Sequence, residues 1–275
     1  APDMDRARIL SSGGKGAGGW LQANPSIPHL RMSSEEFSTA IRLRLGLPHP
    51  LLVGLPTSCP CGKSCDATGV HLLRCSLGGE TIVVHDAVRD ATAQILSGSL
   101  VHVRREVALD LPGPPPQRVR VDLTMVRDGH RTLADLVVAN PLRHDLIDMA
   151  STTAGAAASR VATTKEAKYA ARAPSDTFLP LAIEMFGRLH HPFDGLLRQA
   201  ARDIHGRMGP TGPPLSILTT HFRQRISVAL QRAQARAIYR RSLAVGASAP
   251  SQRLAPLEDI PVPLADLVTT LDVDH

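Results

Sequence analysis

The fold depends on the stretch RVRVDLTMVRDGHRTLADLVV, residues 118–138. Both halves alternate apolar and polar residues as β-strands do, and Asp128-Gly129 between them is a strong signal for a two-residue hairpin turn. Because Asp122 and Asp135 are equally far from that turn, they are predicted to lie directly opposite each other. Two like charges in that position destabilise a hairpin unless a cation lies between them.

A divalent cation would satisfy the two acids, and Mg²⁺ prefers one or two carboxylates together with water and phosphate oxygens. On the other face of the strand, four apolar residues are expected to pack against a helix: Val119, Val121, Leu123 and Met125. The alternative is that both acids face solvent and pair with neighbouring arginines, for which the sequence offers Arg118, Arg120, Arg127 and Arg131.

Further residues near the hairpin favour metal-dependent cleavage of a phosphodiester. Glu106, at the end of the preceding strand, offers a third acid, and Lys165 and Lys168 follow on a helix expected to return over the sheet. In such a site carboxylates hold the metal, while one of the lysines positions the attacking water or offsets transition-state charge. His85 is either half of a catalytic dyad with Asp86 or a side chain that packs beside the acids.

Four cysteines lie close together, and Cys59, Cys61, His71 and Cys75 form the pattern C-x-C-x9-H-x3-C. Three thiolates and an imidazole make a closed tetrahedral Zn²⁺ site of the structural kind. Cys65 is a spare that could replace one ligand. The alternative, reduced cysteines in an ordinary loop, leaves the clustering unexplained.

The rest of the chain predicts helices around a small sheet. Residues 1 to about 30 are expected to be irregular, and a helix starts after the cap Ser33 and ends at Gly46. Beyond it, helices are predicted over 84–97, 151–173 and 216–243, and a strand over 100–109 that leads into a proline-rich bend; residues 177–186 fit either a strand or a short buried helix. The order predicts an α/β fold, a small mixed sheet flanked by helices.

The charge distribution favours an anionic partner. The net charge is +6, and no acid occurs between His205 and Pro256. One side of the long C-terminal helix carries an arginine stripe expected to contact nucleic-acid phosphates: Arg225, Arg232, Arg236 and Arg240. Aromatic residues make up only 3%, which argues against a base-stacking platform. No apolar run approaches the ~18 residues of a membrane span, and the N-terminal residues lack the order of a signal peptide.

Together these motifs resemble the restriction-like endonuclease domain of site-specific non-LTR retrotransposon proteins, of the PD-(D/E)XK superfamily. The matching segments lie between about 59 and 170: CPCGKSCDATGVHLLRC (59–75), HDAVRD (85–90), RVD (120–122), Asp135 and KEAKY (165–169). Val121 replaces the proline of the family's basic-Pro-Asp motif, and Val137 occupies the place of a simple D-x-K lysine, so Lys165 or Lys168 must serve instead. No reverse transcriptase motif occurs, so the resemblance implies a fragment of a longer polyprotein or a stand-alone descendant.

The resemblance implies a restriction-endonuclease-like core with a zinc knuckle and helical extensions, and an enzyme that nicks target DNA. It implies structural Zn²⁺, catalytic Mg²⁺ with Mn²⁺ as a substitute, DNA and element RNA as ligands, a reverse transcriptase polypeptide as partner, and a nuclear location. The alternative is an inactive zinc-stabilised nucleic-acid-binding module derived from such a protein. The expected divisions are a lead-in and helical linker, the knuckle, the nuclease core, an Arg-rich helical region and a Pro-rich tail: 1–56, 57–80, 81–200, 201–247 and 248–275.

Overall fold

A computed structural model describes residues 2–54, 58–59, 61–75, 77–112 and 116–247. The expected Pro-rich tail and most of the proline-rich bend before the hairpin lie outside these residues. Within the described part, no helix is both long and apolar enough to cross a membrane.

The described residues form a four-stranded mixed sheet in the order β1-β2-β3-β4, flanked by helices. The first three strands form an antiparallel meander and β4 pairs parallel with β3; their bounds are β1 His102–Leu111, β2 Gln117–Arg127, β3 His130–Ala139 and β4 Thr177–Glu184. The helices are α1 Asp3–Ser12, α2 Ser34–Leu45, α3 Glu80–Ser97, α4 Ile147–Ala150, α5 Ala156–Lys168, α6 His191–Met208 and α7 Leu215–Ala247. The predicted α/β class is confirmed, and residues 177–184 form a strand.

The predicted hairpin turn is confirmed. Asp128 and Gly129 both have positive φ, 48° and 79°, as a two-residue turn that matches strand twist requires. The pairing runs in the predicted register from Arg127↔His130 back to Leu123↔Ala134. It stops there, one position before the two acids.

Beside the point where the β2–β3 pairing stops, the β1–β2 pair changes which of its two faces packs into the main core. Glu106 of β1 has a φ of 52°, unusual for a residue other than glycine. On the turn side of it Leu123 and Met125 pack into the main core with α3, whereas Val121 and Val119 pack around Tyr169 beyond it. The four apolar residues therefore do not bury against one helix, as the sequence suggested, but in two clusters.

Helices α3 and α5 cover opposite faces of the sheet. Leu136 of β3 belongs to the main core with Val84 and Val88 of α3, whereas its neighbour Val137 packs with Ala158 and Ala162 of α5. Alternate residues of a strand point to opposite faces, so the two helices enclose the sheet between them. This arrangement brings residues of both helices to the level at which the β2–β3 pairing stops.

One sequence expectation about the N-terminal end of the chain was wrong. Residues 3–12 form helix α1, and Ala7 and Trp20 are buried, so the N-terminal segment is part of the packed body. The buried side of α1 consists of Ala7, Arg8 and Ser11, so the sequence carries no apolar stripe that would predict this helix. The expected division of the chain at 200/201 stays a prediction; α6 runs across this position, and α7 packs against α2, α3 and α6.

Candidate metal centre and acidic cleft

Three of the cysteines and one histidine meet as the sequence predicted. The ligand atoms of Cys59, Cys61, His71 and Cys75 all lie within 4.8 Å of one another. Sγ of Cys59 is 3.5 Å from Sγ of Cys75, and Sγ of Cys61 is 3.4 Å from Nε2 of His71. Because Zn–S bonds of about 2.3 Å in a tetrahedron separate two sulfurs by about 3.8 Å, this group fits a closed zinc site.

The loop that supplies these ligands is held by Asp66 and by the core. The Asp66 carboxylate accepts hydrogen bonds from the backbone N–H groups of Thr68, Val70 and His71. Burial opposes its ionisation, but these bonds together with the Thr68 hydroxyl hold the pKa of Asp66 below its usual value. The next two residues, Leu72 and Leu73, are buried in the main core, so the knuckle is anchored to the domain beside it.

Cys65 lies outside this ligand group. Burial, followed by the charge of Cys59, raises the pKa of its thiol to about 11, so Cys65 is a neutral thiol at neutral pH. On the other side of the group, the Arg241 guanidinium of α7 lies 3.6 Å from Sγ of Cys75. A cation beside a thiolate ligand lowers the cost of its negative charge.

Asp122 closes the gap where the β2–β3 pairing ends. Its Oδ2 accepts a hydrogen bond from the backbone N–H of Leu136 at 2.6 Å, in place of a carbonyl of the neighbouring strand. The same oxygen lies 3.0 Å from Nε2 of His85 on α3, whose Nδ1 is 3.1 Å from Asp86. Burial opposes the charged form of each group, but their mutual contact wins: His85 lowers the pKa of Asp122, and Asp122 raises the pKa of His85.

Asp135 is the more deeply buried of the two acids, at 3% exposure. Its Oδ2 lies 2.5 Å from Nζ of Lys165 on α5. Burial and the charge of Asp122 raise the pKa of Asp135, and the Lys165 ammonium only partly offsets them. The two carboxylates therefore interact with each other, as the hairpin predicted, and each has a basic side chain as a neighbour, His85 for Asp122 and Lys165 for Asp135.

The structure separates the two lysines, which the sequence could not do. Lys165 contacts Asp135, whereas Nζ of Lys168 lies 3.4 Å from the hydroxyl of Tyr169 and 4.9 Å from its ring centre. Tyr169 is fully buried, donates to the carbonyl of Arg120 at 3.2 Å and stacks on Phe178. These contacts give Tyr169 a place in the packing beside the acids.

Glu106 lines the same cleft as Asp122 and Asp135, but its carboxylate forms ion pairs with two arginines. Arg89 of α3 contacts one oxygen, and Arg120 lies 3.1 Å from the other. Arg89 also bridges Asp86 and Asp90 at 2.9 and 3.0 Å. The role of Glu106 as a helper in catalysis stays a prediction.

The two acids and the basic side chains that contact them line one cleft of about 610 Å³ where the β2–β3 pairing ends, with residues of both α3 and α5 in its walls. The five residues predicted to be catalytic lie along it, and His85, Asp86 and Arg89 join them: Glu106, Asp122, Asp135, Lys165 and Lys168. Arg74 and Arg143 also line the cleft, and Arg74 directly precedes the zinc ligand Cys75. The cleft thus combines two coupled acids with several cationic side chains.

The arginine stripe of α7 is largely engaged within the protein. Arg225 donates to Gln94 at 3.0 Å, Arg232 to the carbonyl of Arg31 at 3.0 Å, and Arg236 contacts Glu36. These pairs join α7 to α3, to the segment before α2 and to α2 itself. Phosphate contact by these four arginines stays a prediction, and it fits the exposed Arg240 best.

Two roles could not be read from the sequence. Glu184, which is 1% exposed, accepts from the N–H of Ala158 at 3.2 Å and so caps the start of α5. Arg89 links two acids of its own helix to Glu106 across the cleft. Only the i, i+3 spacing of Asp86 and Arg89 hinted at one of these contacts.

Comparison with known proteins adds no relative. No protein-family model matches the sequence, and no curated protein is significantly similar to it.

Proposed function

We propose that the protein is a metal-dependent DNA endonuclease, with the sheet, α3 and α5 as a restriction-endonuclease-like core. The observation that carries the proposal is the meeting of Asp122, Asp135 and Lys165 in one cleft. These residues come from β2, β3 and α5 and serve no common packing purpose. The order of these groups along the chain is also the one in the motifs that resemble retrotransposon endonucleases.

The donor set fits Mg²⁺ or Mn²⁺. Asp122 and Asp135 would hold the ion, and their carboxylates are kept in place by His85 and the Leu136 N–H on one side and by Lys165 on the other. A divalent cation there would relieve the repulsion that, after burial, raises the pKa of Asp135. When bound, such an ion lowers the pKa of a water molecule and offsets negative charge on the phosphate.

The protein's own residues hold and orient the reacting groups. His85 and the Leu136 N–H fix the rotamer of Asp122, and Lys165 does so for Asp135. The Lys165 ammonium can also orient the attacking water or donate to a phosphate oxygen as negative charge develops. Arg74 and Arg143 line the same cleft and can hold the flanking phosphates.

Nicking of a supercoiled plasmid tests this function. We expect zinc-loaded protein to convert it to the open circular form with Mg²⁺ and not with EDTA. Asp122→Ala and Asp135→Ala should each reduce the rate at least about 100-fold, since each removes a metal ligand. Lys165→Met should be slowed far more than Lys168→Met, its matched control. Equal cutting by Asp122→Ala and the unaltered protein would refute the proposal.

A second candidate is an inactive zinc-stabilised nucleic-acid-binding module. It is favoured by one observation: Lys165 and His85 already offset the charges of the two acids, so the hairpin does not need a metal to be stable. This candidate predicts salt-sensitive DNA binding that Asp122→Ala leaves unchanged, and no cleavage with either metal.

The biological setting follows from the resemblance and is part of the proposal. In that setting DNA is the substrate, element RNA is a second ligand, a reverse transcriptase is the associated polypeptide, and the nucleus is the compartment. Co-purification of a polymerase with the natural protein would test the association.

A further inference from the structure

Two buried polar groups on residues that line the cleft have no hydrogen-bond partner within the described part of the chain, and the part of the cleft beside these residues is here called its inner end. They are Oε1 of Gln234 on α7 and Nδ2 of Asn140, the residue that follows β3. Both residues line the cleft, and Gln234 is 1% exposed. Buried polar atoms of native proteins are nearly always satisfied, so an unsatisfied acceptor and donor in one cavity point to a ligand.

The orientation of each amide is set by its other half. Nε2 of Gln234 donates to the carbonyl of Met185 at 3.1 Å, which leaves Oε1 as the free acceptor. Oδ1 of Asn140 accepts from the N–H of Leu142 at 2.8 Å, which leaves Nδ2 as the free donor. Both residues are tied to Met185: Gln234 donates to its carbonyl, and the N–H of Met185 donates to the carbonyl of Ala139, which directly precedes Asn140, at 2.8 Å.

Part of the cleft lining is apolar. Leu73, Val84, Leu136 and Met185 line the cleft and are all buried, whereas Arg120 and Arg143 are more exposed. A flat ligand could lie against these aliphatic side chains with its polar edge toward Gln234 and Asn140. The acids and Lys165 line the same cavity, so such a ligand would be attached to the phosphate that they handle.

We propose that the inner end of the cleft is a nucleobase-binding pocket, in which Gln234 and Asn140 read a donor and an adjacent acceptor on the base edge. Side-chain amides recognise bases through this pairing of one donor with one acceptor. A base can enter only from single-stranded DNA or after leaving its stack. The proposal rests on the proposed function, since it takes nucleic acid as the ligand, and it adds selectivity for the base beside the cleaved phosphate.

Binding of the four deoxynucleoside 5′-monophosphates, compared with deoxyribose 5-phosphate, tests the pocket. Affinities are measured by NMR titration of the zinc-loaded protein with Ca²⁺ present. We expect the preferred mononucleotide to bind at least about tenfold more tightly than the sugar phosphate, as one amide–base pair allows. Asn140→Asp keeps the acceptor for Leu142 but loses the donor, and should reduce that ratio toward one.

Gln234→Met should also abolish the preference, and Gln231→Met is its matched control. Gln231 is equally buried and donates to the same Met185 carbonyl at 3.1 Å, but it does not line the cleft. Both substitutions lose that hydrogen bond, so only Gln234→Met should lose the preference for a base. Equal affinity of the unaltered protein for all five phosphates, or equal loss in both variants, would overturn the pocket.

The outcome is independent of cleavage. Base-dependent binding without nicking would refute the nuclease proposal and support the nucleobase pocket. Nicking without any preference for a base over the sugar phosphate would sink only the pocket.

Discussion

Replacement of Cys75 by serine should remove the metal from the knuckle and destabilise the whole body of the protein. Cys75 is 2% exposed and lies among the other three ligands. Serine is a poor zinc ligand, and a structural zinc site with three ligands loses most of its affinity. Without the metal, we expect the loop from 58 to 75 to lose its fixed conformation.

The cost follows from what that loop buries. Leu72 and Leu73, which directly follow His71, are 0% and 6% exposed and belong to the main core. Each buried leucine contributes about 1.5–3 kcal/mol, so releasing both costs roughly 3–6 kcal/mol. In a protein of this size that should lower Tm on the order of 10 °C.

The assay combines metal analysis with thermal unfolding. The unaltered protein should contain one zinc per chain, Cys75→Ser far less, and EDTA should lower Tm of the unaltered protein to that of the variant. Cys65→Ser is the matched control and should keep both its zinc and its Tm, because Cys65 lies outside the ligand group. Full zinc content in Cys75→Ser, or equal loss in Cys65→Ser, would refute this assignment.

Three further predictions concern residues around the site. Tyr169→Phe should lower the free energy of unfolding by about 1 kcal/mol in urea titrations, because it removes a buried hydroxyl that donates to the carbonyl of Arg120 and accepts from Lys168, and an unchanged value would contradict these contacts. Burial raises the pKa of Glu184, so the folded protein binds this proton more tightly than the unfolded chain does. The free energy of unfolding should therefore fall as the pH rises from the pKa of the unfolded chain through that of the folded protein. Over that pH range Glu184→Gln should become more stable relative to the unaltered protein, and a stability difference that does not change with pH would contradict this. Arg240→Ala should reduce the salt dependence of DNA binding by about one counterion, whereas a steeper or unchanged slope would remove Arg240 from the interface.

The hairpin could be predicted because its determinants are local. The Asp128-Gly129 turn and strand alternation set the register, and the two acids, one position beyond the last pair of that register, interact with each other. The four metal ligands could be predicted equally well, since a C-x-C pair followed by His71 and Cys75 is a recognisable spacing pattern in the sequence. Local patterns of this kind do not depend on how distant segments pack.

Long-range packing decided what the sequence could not. Lys165 and Lys168 lie less than one helical turn apart, and only the placement of α5 over the sheet shows that Lys165 meets Asp135. The arginines of α7 form a stripe in sequence, but packing beside α2 and α3 gives three of them internal partners. The hairpin acids were expected to be strained without a metal, yet His85 from α3 and Lys165 from α5 offset them.

A crystal of the zinc-loaded protein with a short DNA and Mn²⁺ tests the central claim most directly. Anomalous scattering at the manganese edge locates the ion without reference to the protein density. A peak within about 2.0–2.4 Å of one oxygen each of Asp122 and Asp135, beside the DNA phosphate, is the result that we expect. Bound DNA in the cleft with no peak there, and with the Lys165 ammonium still joined to Asp135, would contradict a metal-dependent nuclease.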